Sequence, residues 1–305
     1  MMEFDEDIEL DKFVSVLGNT MQYVANETVL LAQLEQYFDP KPASIAENDE
    51  EIKILQKRVE KLVEDLGGPP KLIIVKEDDP KPRYDLYPAA ALQEVISMFH
   101  RTRKATLRAH MFMIGSQMVR NKPEFLTLPD NKEAQEHILK SAEATFWEHA
   151  ETAFIRLASF WDRVGQLLDF AFFRIRQFER DGFSSVVDRI RNNVALVHSE
   201  LATNPSWERI RSYQTSEKAD GLKWLLRRRN LLVHSLYLRP FEKADDDAIF
   251  DSEFNHLDAS LREKLAPGNI EEELTKIHIH LSKAAQLFPD ILSLCETSMA
   301  MGANS

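Results

Sequence analysis

The chain is poor in the residues that form covalent cross-links and tight turns. Cys295 is the only cysteine among 305 residues, which excludes an intrachain disulfide, a zinc ribbon and a C-x-x-C redox pair. The 9 glycines make up about 3% of the chain, against roughly 7% in an average protein. Because glycine supports tight turns, this scarcity favours helices over a strand-rich fold.

Long apolar runs are missing as well. No stretch approaches about 18 consecutive apolar residues, and the acidic start has neither the basic nor the apolar segment of a secretory leader. Lys and Arg number 38 against 50 Asp and Glu, a net charge of −12. This balance argues against a protein that coats nucleic acid or membranes through its overall charge. The sequence thus predicts a cytoplasmic protein with no membrane association, in which any anion-binding site is local.

Common signatures of cofactor and metal chemistry are absent. The sequence has no G-x-G-x-x-G, G-x-x-x-x-G-K-[ST], H-E-x-x-H or G-x-S-x-G, the patterns of dinucleotide-binding, phosphate-binding, metalloprotease and hydrolase sites. His278 and His280 are two residues apart on a predicted helix, about 200° around it, so they do not chelate one metal together. We therefore expect no cofactor and no metal site.

Apolar residues recur at helical spacing in the first part of the chain. The patterns at 10–38, 52–66 and 88–118 each predict a helix. Residues 72–75, Leu-Ile-Ile-Val, are the best strand candidate. One such segment is consistent with at most one short strand pair in an otherwise helical region.

The proline-containing stretch 121–129 indicates a break that divides the chain into an N-terminal helical region, 1–129, and a helical domain, 130–305. The second domain opens with an unusually long aromatic helix, 130–178, which Gly165 interrupts. The sequence therefore predicts an all-α fold made of helical layers or bundles. Further helices are predicted at 185–202, 206–213, 217–238 and 270–294.

Charge is unevenly distributed along the chain. Residues 172–243 contain fourteen Lys or Arg and eight Asp or Glu, a net charge of +6, which leaves −18 for the remainder. A basic surface on an otherwise acidic protein selects polyanions while limiting nonspecific binding. The alternative is that these cations are ordinary arginines and lysines on solvated helix faces.

The basic segment contains a short helix rich in side chains that carry chemistry. Residues 225–237 read Leu-Leu-Arg-Arg-Arg-Asn-Leu-Leu-Val-His-Ser-Leu-Tyr. Asn230 and His234 are four residues apart and share a helix face. Arg229 lies about 140° from His234 on an ideal helix, and we expect its long side chain to reach a common site. Because consecutive arginines are costly to bury unpaired, we expect 227–229 to line a cleft or an interface.

Residues 229–234 match the R-N-x-x-x-H form of the R-x4-6-H motif, and on this basis the sequence resembles a HEPN domain. The aromatic helix at 158–170 resembles the first bundle helix of one HEPN group, and the resemblance covers about 130–294. It implies an all-helical domain that often dimerises, so that two motifs face one cleft. The activity that it implies is that of a metal-independent endoribonuclease.

The resemblance also implies roles for single residues. His234 would move a proton to or from the RNA 2′-hydroxyl or the leaving 5′-oxygen, and Arg229 would stabilise negative charge on phosphorus. Asn230 would orient the imidazole or the phosphate. The partners implied are RNA, a second copy of the chain and, in a toxin or defence role, an antitoxin or another protein. The cations predicted to bind RNA are Lys223, Arg227 and Arg228.

Several alternatives stay open at this point. Arg191 and His198 satisfy the longer R-x6-H form and make a second motif. Glu148, Glu151 and Asp162 are candidates for an additional acidic residue of the site. Instead of an enzyme, the chain could be a noncatalytic HEPN module that binds RNA, a nucleotide or a protein partner. A helical scaffold whose basic strip meets an acidic protein is the third interpretation.

Overall fold

The computed structural model describes residues 6–68, 85–122, 132–176, 182–234 and 269–303. All regular elements in these ranges are helices, so the predicted all-α fold is confirmed. The strand candidate at 72–75 lies outside the described residues. None of the described helices is long and apolar enough to cross a lipid bilayer. The helices are α1 (Glu6–Glu35), α2 (Asp49–Gly67), α3 (Tyr87–Asn121), α4 (Lys132–Phe173), α5 (Phe183–Ile190), α6 (Ser199–Ala202), α7 (Pro205–Thr215), α8 (Leu222–His234) and α9 (Ile270–Ala303).

The structure divides into two compact units, Met1–Lys41 and Pro42–Ser305. This division differs from the boundary that the sequence predicts after residue 129, because helices from both sides of that boundary share one core. Phe99 of α3 and Phe160 of α4 are both buried, with their ring centroids 6.0 Å apart. Prolines end helices, but they do not report whether the helices on either side pack together.

The centre of the second unit is α4, whose aromatic side chains meet neighbours on several sides. Trp161 is fully buried, and its ring centroid lies 4.9 Å from that of Phe183 in α5 and 4.6 Å from that of Tyr213 in α7. The helices α3, α8 and α9 also pack against α4. A helix with neighbours on most sides is apolar around most of its circumference, which explains the unusual aromatic content of α4.

Two features of α4 differ from the sequence prediction. Gly165 does not interrupt the helix, which runs through it to Phe173. A β-carbon at this position would come within 2.8 Å of the Phe183 Cα, so the glycine allows α5 to cross close to α4. The helix was predicted to reach residue 178 but ends at Phe173. The next residue, Arg174, adopts a left-handed conformation with a φ of 57°.

The helix predicted at 185–202 is interrupted. The helix α5 ends at Ile190, and a π-helical turn, Arg191–Ala195, follows it directly. His198 then occupies the N-cap position of the short helix α6, without a side-chain hydrogen bond to the helix. Apolar residues recur at helical spacing along this stretch and neither Gly nor Pro occurs in it, so its pattern did not reveal the break.

The last helix, α9, is longer than the predicted 270–294 and contains Pro289. It is attached to α7 by a two-pronged ion pair. Arg209 donates from Nε to Asp290 Oδ2 at 2.9 Å and from Nη2 to Asp290 Oδ1 at 2.6 Å. A bidentate contact of this kind fixes the relative orientation of the two helices.

Candidate functional site

The R-N-x-x-x-H motif lies at the C-terminal end of α8. Leu222 and Leu225, in the first turn of α8, are fully buried and anchor the helix in the core. The helix packs against α4 and α7. Successive residues of an α-helix are rotated by about 100°. The three consecutive arginines 227–229 therefore point in three different directions.

Arg228 points into the protein. Its Nη2 donates to Glu273 Oε2 of α9 at 2.7 Å, and the two side chains are 3% and 0% exposed. The guanidinium also lies over the rings of Phe154 and Trp224, at 5.7 and 5.9 Å from their centroids. This corrects the predicted RNA-binding role of Arg228, because a cation that neutralises a buried carboxylate is not available at the surface.

The buried carboxylate of Glu273 holds a second cation. Lys276 donates to Glu273 Oε1 at 2.7 Å, and its Nζ lies 5.9 Å from the Trp224 ring centroid. His280, further along α9, stacks on the same indole with centroids 5.2 Å apart. Burial lowers the pKa of His280 to about 4, so this imidazole is neutral at physiological pH. The inner side of α8 is thus a structural contact with α9.

The outer side of α8 carries Lys223 and Arg227. Lys223 Nζ lies 3.0 Å from Glu217 Oε1, and Arg227 Nη2 lies 3.8 Å from the same oxygen. The two cationic side chains are 45% and 44% exposed. Exposed ion pairs contribute little to stability and are screened by salt. Both cations therefore remain accessible to a competing anion, although one carboxylate partly neutralises them.

Arg229 is partly buried, and its positive charge acts on Asp162 of α4. Within the described residues, no hydrogen bond or ion pair engages the Arg229 guanidinium. Burial raises the pKa of Asp162, and the positive charge of Arg229 acts in the opposite direction. The Asp162 carboxylate also accepts a hydrogen bond from the backbone N–H of Phe183. A β-carbon at Gly182 would lie 3.1 Å from Asp162 Oδ1, so this glycine leaves room for the carboxylate.

Of the three acids that were candidates for an additional site residue, Asp162 therefore interacts electrostatically with the motif. Asp162 caps the N-terminus of α5, for which Gly182 offers no side chain, and presents its remaining charge to the arginine of the motif. Sequence spacing does not reveal this proximity, because Asp162 and Arg229 are far apart along the chain. The nearest signal in the sequence is that Asp162 interrupts an apolar stretch of α4.

The other two residues of the motif are Asn230 and His234. Asn230 is exposed on the surface of α8. His234 is the last residue of the helix, and its side chain lies outside the described residues. On a regular helix His234 shares the face of Asn230 and is about 140° from Arg229. One copy of the chain therefore directs Arg229 towards α4 and Asn230 towards solvent.

The second motif has a different setting. Arg191 is the first residue of the π-helical turn, and His198 directly precedes α6. Both side chains are exposed. The turn between them places the two residues on separate elements, so they lack the common helical frame of residues 229–234.

His278 and His280, two residues apart on α9, have different neighbours. His278 packs edge-to-face against His110, with ring centroids 5.3 Å apart, whereas His280 faces Trp224. Burial lowers the pKa of His278 to about 4, with a smaller effect of His110 in the same direction. In the part of the chain that the structure describes, no three His, Cys, Asp or Glu residues are grouped to hold a metal ion.

No family model, curated protein or solved structure matches this chain. The resemblance to HEPN domains consequently depends on the motif in α8 and on its all-helical surroundings. The geometry adds an arginine of the motif that faces an acid, and a neighbouring arginine that belongs to the core.

Proposed function

We propose that this protein is a metal-independent endoribonuclease of the HEPN type, which acts in the cytoplasm as a homodimer. The observation that supports this most strongly is the contrast between Arg228 and Arg229. Arg228 forms an ion pair with the buried Glu273 carboxylate. Arg229, the arginine of the motif, has no ion pair within the described residues, and its charge acts on Asp162. A partly buried guanidinium that forms no ion pair within the described residues is suited to bind a phosphate.

The reaction follows from the residue types of the motif. His234 accepts the proton of the RNA 2′-hydroxyl, and the 2′-oxygen attacks the adjacent phosphorus. The bond to the 5′-oxygen breaks, and this leaving group takes up the proton from the His234 imidazolium. Arg229 stabilises the extra negative charge that develops on the phosphoryl oxygens. The products are a 2′,3′-cyclic phosphate and a 5′-hydroxyl, and DNA, which lacks the 2′-hydroxyl, is not cleaved.

A dimer cleft is part of this proposal. Because Arg229 and His234 are about 140° apart on α8, one helix does not direct both side chains to the same point. Two motifs that face each other across a cleft supply both groups to one phosphate. Lys223 and Arg227 lie on the outer side of α8 and would contact flanking phosphates once Glu217 is displaced. A toxin or defence role, with an antitoxin or another protein as partner, would follow from the resemblance.

Cleavage of end-labelled single-stranded RNA by the full chain in excess EDTA tests the proposal. We expect products that end in a cyclic phosphate, and we expect His234→Ala to abolish them while RNA affinity is retained. His198→Ala is the matched control, because it removes the histidine of the second motif from an exposed position. Arg229→Ala should weaken both cleavage and binding.

Two outcomes would contradict the assignment. Loss of cleavage in His198→Ala but not in His234→Ala would transfer the chemistry to the second motif. No cleavage of varied RNAs, with equal RNA binding by wild type and His234→Ala, would instead favour a noncatalytic HEPN module that binds RNA, a nucleotide or a protein.

A further inference from the structure

The first unit of the structure has an apolar helix surface that is exposed among the residues the structure describes. The side chains of Val14, Leu17, Met21 and Val24 in α1 are 57%, 45%, 61% and 48% exposed. Single apolar residues are common on protein surfaces, but a contiguous apolar patch marks an interaction site. These four residues, which we call the α1 seam, lie on one side of the helix at successive intervals of three, four and three residues.

The α1 seam has the spacing of a helix that packs against another helix. Intervals of three and four residues average 3.5, the heptad repeat that keeps an apolar stripe facing a partner helix. Leu10 extends the same register towards the N-terminus of the chain. A partner that is itself an α-helix is therefore the occupant that this spacing suits.

The charge of α1 narrows the choice of partner. Residues 13–26 carry no charged side chain, whereas residues 6–11 carry four acids. Depletion of charge is typical of the buried core of protein interfaces. Helices that lie on membranes carry many Lys and Arg residues, but Lys12 is the only cation of α1. The acids likewise disfavour RNA as the occupant.

A glycine next to the α1 seam supports close approach of another backbone. Gly18 lies in the middle of α1, where glycine is unfavourable compared with alanine. A β-carbon at Gly18 would meet no described atom within 4 Å, so packing among the described residues does not require the glycine. Ala25 follows at the equivalent heptad position. Small residues along one edge of the seam would let a second helix pack closely.

We propose that α1 pairs with α1 of a second copy of this chain, in an antiparallel coiled coil centred near residue 19. The seam is self-complementary in that orientation. Val14 of one copy lies opposite Val24 of the other, and Leu17 lies opposite Met21, a pair of similar volume. Such symmetry is what a two-fold axis requires of an interface between identical chains.

The antiparallel orientation also agrees with the charges. It sets the acidic residues 6–11 of one copy beside residues 27–32 of the other, which carry one acid. A parallel pair would place the four acids of each copy side by side, where they repel. This interface involves only the first unit and does not depend on the proposed ribonuclease activity.

Light scattering coupled to gel filtration of the full chain tests the interface. We expect wild type to self-associate, and we expect the double variant Leu17→Glu, Val24→Glu to raise the dissociation constant at least about a hundredfold, because two apolar side chains would be replaced by charges within the seam. The matched control is Val16→Glu, Tyr23→Glu, which adds the same charge and removes exposed apolar side chains of α1 outside the seam. A monomeric wild type, or equal dissociation of both double variants, would overturn the proposal.

A second interface could keep the Leu17→Glu, Val24→Glu variant dimeric, so that its mass in light scattering does not change. Disulfide cross-linking tests the α1 seam in that case. Cys295 is fully buried, so it does not compete with an introduced thiol. When Leu17→Cys and Met21→Cys chains are mixed and oxidised, we expect cross-links between the two variants in preference to cross-links within either one. Absence of the mixed product would overturn the pairing.

Discussion

The Arg228 guanidinium and the Glu273 carboxylate form a buried ion pair that joins α8 to α9, with Nη2 and Oε2 2.7 Å apart. This pair sets the rotation of α8 about its axis. With Arg228 directed inwards, Arg227 faces solvent and Arg229 faces Asp162 of α4. One of three adjacent arginines thus orients the helix, and the other two are less buried.

Removal of Arg228 should destabilise the fold. In Arg228→Met the aliphatic part of the side chain is kept, but the buried Glu273 retains only Lys276 of its two cations. Breaking a buried pair by removing one partner costs about 3–5 kcal/mol, and we expect a loss of about 3 kcal/mol in the free energy of unfolding, measured by urea denaturation. The exposed neighbour provides the control, since Arg227→Met should change this free energy by less than about 0.5 kcal/mol. Equal effects of the two substitutions would show that the Arg228 pair is dispensable.

Acidification should destabilise the protein through two buried histidines. The pKa values of His278 and His280 are lowered to about 4 in the folded chain, against about 6.5 in an unfolded chain. Between these values the unfolded state binds more protons, so the free energy of unfolding falls as the pH falls. Each histidine contributes up to about 1.4 kcal/mol per pH unit. Urea denaturation at several pH values between 7.5 and 4.5 measures the slope.

A substitution assigns part of that slope to one residue. His280→Phe keeps a ring against Trp224 but cannot take up a proton, and we expect it to reduce the dependence on pH by about the contribution of one histidine. His198→Gln, at an exposed position, should leave the slope as it is in wild type. An unchanged slope in His280→Phe would mean that this imidazole is not held neutral by burial.

The long helices were predictable because their apolar residues recur at helical spacing. The packing of α3 against α4, across the predicted boundary after residue 129, was not predictable. Nothing local in the sequence records that α3 and α4 share a core. The inward position of Arg228 did have a signal. It follows Leu222 and Leu225 at three-residue steps, and this places it on the apolar row of α8. A charge on such a row indicates a buried partner, whose identity depends on the tertiary arrangement of α9.

The site was predictable to a similar extent. The motif itself is readable in the sequence, and its location on a single helix follows from the apolar pattern around it. The electrostatic interaction between Asp162 and Arg229 was not predictable, because it joins two helices and depends on how α5 crosses α4 at Gly165 and Gly182.

The crossing of α4 and α5 can be tested at its closest point. In Gly165→Ala the new β-carbon would lie 2.8 Å from the Phe183 Cα and 3.0 Å from its backbone nitrogen. Backbone atoms do not yield as a flexible side chain does, so we expect a loss of about 1–3 kcal/mol in the free energy of unfolding. At Gly115 of α3 a β-carbon meets nothing within 4 Å, and Gly115→Ala should stabilise the helix by about 0.5–1 kcal/mol. Thermal or urea denaturation measures both changes. The packing argument would be contradicted if the two substitutions changed the free energy of unfolding in the same direction.

Asp162 should act on the proposed cleavage by positioning Arg229. In Asp162→Asn the amide oxygen still accepts the hydrogen bond from the Phe183 N–H, but the charge that faces the guanidinium is removed. We expect kcat for RNA cleavage to fall by up to about a hundredfold, because misplacement of a catalytic group by about 1 Å has an effect of this size. KM and the thermal unfolding midpoint should change little, since the fold and the cations Lys223 and Arg227, which we propose to bind RNA, are retained. The control on the same helix is Glu148→Gln, an exposed acid whose loss should leave kcat unchanged. Wild-type kcat in Asp162→Asn would mean that Arg229 is positioned without the carboxylate, while a matching fall in the unfolding midpoint would reduce the role of Asp162 to capping α5.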